Sequence, residues 1–80
     1  MQSKRQTIER KQTQIDHNTK MVKWLQSEVV RMETTKKNPK SINSVLVAME
    51  KRIVSYKYEI KRRLLRIESS QRMILELEAL

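Results

Sequence analysis

Apolar residues return every seven positions along both halves of this chain. In the first half Met1, Ile8, Ile15, Val22 and Val29 hold one position of the repeat, and Leu25 and Met32 hold the complementary one. In the second half Leu46, Ile53, Ile60, Ile67 and Ile74 recur in the same way, joined by Ile42, Met49, Tyr56 and Leu77. Apolar a and d positions at this spacing form the seam of a coiled coil. If the two halves fold back on each other, every layer sets an a residue of one against a d residue of the other. The permitted registers then differ by whole heptads. The register that sets Leu25 against Ile53 centres the reversal on Pro39, the only proline, and is the expected one.

That register predicts four apolar layers next to the turn: Met32 with Leu46, Val29 with Met49, Leu25 with Ile53, and Val22 with Tyr56. The following layers are mixed: Asn18 with Ile60, Ile15 with Arg63, Lys11 with Ile67, Ile8 with Ser70, and Lys4 with Ile74. Met1 and Leu77 close the far end. Lysine and arginine in a seam lay their methylenes along it and turn the charge outward, whereas Asn18 needs a hydrogen bond. The turn end is therefore expected to hold and the open end to fray. Glu28 and Arg52 are expected to face each other across one seam edge.

The fold class is all-α: two long helices in an antiparallel coiled-coil hairpin, dimerising into a four-helix bundle. Residues 1–80 form a single helical hairpin, with helix 1 over about 2–36, the turn at 37–40 and helix 2 over about 40–78. Lys36 and Lys37 suit the negative end of the first helix dipole. Asn38 followed by Pro39 reads as a cap and first residue of the second helix, with Ser41 as the competing cap. The link is too short for anything but antiparallel neighbours.

Helix 2 is apolar on a second face. At 100° per residue Val47, Val54, Tyr58 and Leu65 fall within about 20° of one line, roughly 140° from the seam. Lys61 and Arg62 flank that line, as do Lys40, Lys51 and Arg72. Two occupants fit it: a second copy of the hairpin, or another protein presenting an acidic amphipathic helix. Trp24 lies outside the seam of helix 1, where it either shields the edge of the Leu25 layer or anchors a partner.

Composition narrows the class further. Eighty residues without cysteine bury only a modest core and have no disulfide to brace it, so association is the expected support. Glycine is absent, which removes any phosphate-cradling loop. Eighteen Lys and Arg against nine Asp and Glu give a formal charge of +9 and favour acidic partners. No apolar run approaches a membrane span and no apolar stretch follows the first cations as in a signal peptide. An intracellular location is expected, cytoplasmic rather than nuclear.

No catalytic residue, metal ligand set or cofactor site is expected. His17 is the only histidine, and Asp16 beside it points to a different face of the helix. The run Lys61, Arg62, Arg63, Leu64, Leu65, Arg66 supports an alternative reading as a basic nucleic-acid-binding helical protein. The cations wrap all faces of helix 2 and the chain holds only three aromatic residues for base stacking, which weighs against it. The leading expectation is a non-enzymatic protein-protein interaction or oligomerisation module of a larger scaffold, cytoskeletal, trafficking or regulatory protein. Its expected partner surface is Val47, Val54, Tyr58, Leu65, Lys61, Arg62 and Trp24, and its expected partners are an acidic protein and a second copy in a homodimer.

Overall fold

The computed structural model describes residues 3–38, 40 and 42–80, and among these the chain forms two helices and no strand. Helix α1 spans Lys4–Lys36 and α2 spans Asn43–Ala79. The pair forms a rod of 58 × 19 × 14 Å. Its length matches the rise of about 1.5 Å per residue for a 37-residue helix, so the second helix sets the long axis.

Ser3 starts α1 with a capping box: its hydroxyl accepts from the Gln6 amide at 3.2 Å, and the Gln6 side chain accepts from the Ser3 amide at 3.0 Å. Two free amides of the first turn are thereby satisfied, a device worth about 1 kcal/mol. The Ser-x-x-Gln spacing carries this signal in the sequence. The start of α2 is less well served. Ile42 occupies the cap position without a side-chain hydrogen bond, and the helix begins at Asn43, later than the proline signal suggests. Asn38 does not cap α2; its side-chain oxygen accepts from the Lys40 amide at 3.0 Å and closes a local turn. The expected roles of Pro39 and Ser41 lie outside the described residues, as does the Met1 layer.

The heptad frames locate the seam correctly. Every a and d position from Ile8 to Met32 and from Leu46 to Leu77 is buried or half-buried. Ile15, Val22, Leu25, Val29, Met32, Ile53 and Ile74 form the core, and Leu25, at 1% exposure, is its most enclosed side chain.

The register, however, is one heptad away from the expected one. Ile53 packs with Val29 and Met32, and Tyr56 and Ile60 pack against that cluster. This sets Met32, not Leu25, opposite Ile53. Two cross-helix ion pairs fix the slip: Lys36 to Glu50 at 2.9 Å and Lys57 to Glu33 at 3.2 Å. In the expected register Glu33 would stand level with Val45, about 12 residues or about 18 Å along the axis from Lys57, beyond the reach of two extended side chains. In the observed register the offset falls to about 5 residues. The same slip brings Ile15 beside Gln71 and Ile74 near the open end.

Three expectations change with it. Leu46 no longer meets Met32, and the first turns of α2 run past the end of α1, leaving Ile42 64% exposed. Well-buried Ile15 and Ile74 extend the core toward the open end, where weak layers were expected. Glu28 pairs with Arg31 on its own helix instead of with Arg52.

Candidate functional site

Two surfaces of the rod stand out, on different sides of α2. The first is the second apolar stripe. Val47, Val54, Tyr58 and Leu65 remain between 51% and 69% exposed. All four lie within α2, one helical line apart from the seam, so the rigid helix presents them together. Lys61 and Arg62 beside them are exposed, and neither forms an ion pair among the described residues. The stripe is therefore an apolar line with an uncompensated cationic edge, and α1 covers none of it.

Trp24, the remaining predicted contact residue, is not part of that surface. Its ring centroid lies 6.1 Å from that of Tyr56, tilted by 47°, which bridges the two helices at the edge of the seam. It remains 52% exposed. About half of its surface is open to solvent.

Periodicity alone did not reveal the second surface. On the Trp24 side of the rod, an open groove runs between the helices, with Lys11, His17 and Asn18 on one wall and Arg63, Arg66 and Ser70 on the other. Four polar residues occupy seam positions inward of Lys4, namely Lys11, Asn18, Arg63 and Ser70, and all four open into it. Arg63 spans the gap: Nη1 donates to the Asn18 side-chain oxygen at 2.8 Å, while Nε and Nη2 donate to Glu59 at 3.2 and 3.1 Å. The half-buried asparagine that needed a partner thus obtains one from the facing helix. The signal was present in the sequence as four non-apolar seam positions, but only the register brings them to one place.

His17 lies on the groove wall and is exposed. Among the described residues no group of three or more His, Cys, Asp and Glu side chains is placed to hold a metal ion. No helix among them is long and apolar enough to cross a membrane.

Known proteins add no further constraint on either surface: no family model matches the sequence, no curated protein matches it, and no solved structure matches the fold.

Proposed function

We propose that this chain is a non-enzymatic protein-protein interaction or oligomerisation module of a larger scaffold, cytoskeletal, trafficking or regulatory protein, acting in the cytoplasm through the outer face of α2. The observation that carries the reading is the line Val47, Val54, Tyr58 and Leu65, which the hairpin builds on a rigid helix and leaves more than half exposed. Contiguous apolar surface of this kind marks interfaces in water-facing proteins. Covering the exposed half of each side chain is worth on the order of 1 kcal/mol per residue from area burial. A partner helix laid along the line would collect all four contributions at once.

Two occupants satisfy the face. A second copy related by a two-fold axis gives a four-helix bundle and buries the line against itself. An acidic amphipathic helix also neutralises the Lys61 and Arg62 edge. Salt separates them, because screening strengthens contact between like-charged copies and weakens contact with an acidic partner.

Light scattering over a concentration series, and affinity capture with acidic helical peptides, test the reading. Val54→Glu together with Leu65→Glu is expected to abolish association while leaving helical content intact, since neither residue belongs to the seam. A folded double variant that associates as the parent does would refute the assignment.

A further inference from the structure

We propose that the groove on the Trp24 side of the hairpin binds the phosphate backbone of single-stranded nucleic acid, with Trp24 as a stacking platform at its end. This site is separate from the α2 stripe. Arg63 and Leu65, two residues apart, point about 200° apart around the helix.

Charge supplies the first reason. None of the residues lining the groove is acidic, and they include Lys11, His17, Arg63 and Arg66. Glu59 compensates Arg63 and holds its guanidinium in place. Arg62 and Arg66 share an adjoining cleft with that pair. Among the described residues Lys11 and Arg66 form no ion pair, so two cations line the groove without a carboxylate of their own. Uncompensated Lys and Arg in a groove are the electrostatic footprint of a polyanion.

The lining chemistry selects the kind of polyanion. Every residue lining the groove is polar, with hydroxyls and amides between the cations. An amphipathic protein helix would find no apolar side chain to pack against there, whereas phosphate oxygens and sugar hydroxyls would find several donors. The aromatic pair selects the single strand. Trp24 lies two helical turns from His17, and Tyr56 lies two turns from Arg63, so groove and rings share one face. Two of the chain's three aromatic residues stand here, and Trp24, about half exposed, is accessible to an unpaired base. A duplex keeps its bases stacked inside and gives the ring nothing to engage.

Seam polarity fits the same use. Lys11, Asn18, Arg63 and Ser70 weaken the hydrophobic seam where they stand, and their side chains build the groove. A face that carries function is retained at some cost in stability.

The test is anisotropy of labelled oligouridylate and oligothymidylate with the intact chain, repeated across a salt series and followed in parallel by the fluorescence of Trp24, the only tryptophan. Two phosphate contacts predict a log-log salt slope of about −1.4, at roughly −0.7 per phosphate for a single strand. Arg66→Gln is expected to reduce that slope by about 0.7, and Trp24→Leu to weaken binding about fivefold or more with little change of slope. Lys61→Gln on the stripe, and Val54→Glu with Leu65→Glu, are expected to leave both quantities unchanged, and circular dichroism confirms that each variant is helical. Equal losses for Arg66→Gln and Lys61→Gln would overturn the site in favour of diffuse charge. Duplex bound as tightly as single strand would also overturn it. Arg66-dependent binding to phosphatidylserine vesicles, with none to oligonucleotides, would reassign the groove to lipid headgroups and refute the proposal.

Discussion

Leu25 and Leu46 both occupy apolar seam positions of their helices, and the observed register predicts that truncating them has very different costs. Leu25 is enclosed almost completely, whereas Leu46 is only half-buried where α2 runs past the end of α1. Leu25→Ala removes three buried carbons, worth about 2.4 kcal/mol at about 0.8 kcal/mol each. The residual cavity adds to this, and buried Leu→Ala changes span about 2 to 5 kcal/mol. Only two helices wall the site, so they can close on the space, and a loss of about 3 kcal/mol is expected. Leu46→Ala is expected to cost about 1 kcal/mol or less. For a domain of this size about 1 kcal/mol moves Tm by about 4 to 8 °C. Leu25→Ala should therefore lower Tm by about 12 to 24 °C, and Leu46→Ala by no more than about 8 °C. Thermal and urea melts followed by circular dichroism at 222 nm measure both. Each is run at two protein concentrations, because association adds a concentration-dependent term to apparent stability. Equal costs for the two leucines would refute the slipped register and return Leu46 to a core layer against Met32.

Disulfide trapping examines the same slip by geometry. Met32→Cys with Ile53→Cys is expected to crosslink within one chain, and Leu25→Cys with Ile53→Cys to remain reduced, since a heptad of displacement exceeds the Cα separation a disulfide tolerates; the opposite pattern, read on a denaturing gel under dilute oxidation, would restore the register centred on Pro39. The polar seam gives a further prediction. Asn18→Leu together with Arg63→Leu replaces a cross-helix polar contact with apolar packing, which is expected to raise Tm by several degrees and to remove binding of single-stranded nucleic acid; a lower Tm would show that the Arg63, Asn18 and Glu59 network contributes net stability.

Which residues lie inside was legible in the heptad pattern alone. A seven-residue repeat in each half was enough to name the seam, and the same angular reasoning identified Val47, Val54, Tyr58 and Leu65 as a line that the hairpin would not cover. Both are properties of one helix at a time, and the spacing of side chains around a helix is fixed by backbone geometry alone. The register was a different kind of quantity. A heptad repeat looks the same after a shift of seven, so periodicity leaves registers one heptad apart nearly equivalent, and the choice passes to contacts that exist only between the helices. Ion pairs from Lys36 to Glu50 and Lys57 to Glu33, and the fit of Ile53 between Val29 and Met32, settle it at the cost of an uncovered first turn of α2. The groove was hidden for the same reason. Lys11, Asn18, Arg63 and Ser70 are visible in the sequence as four interruptions of an apolar pattern, but they become one surface only when the tertiary register brings the two helices' interruptions side by side.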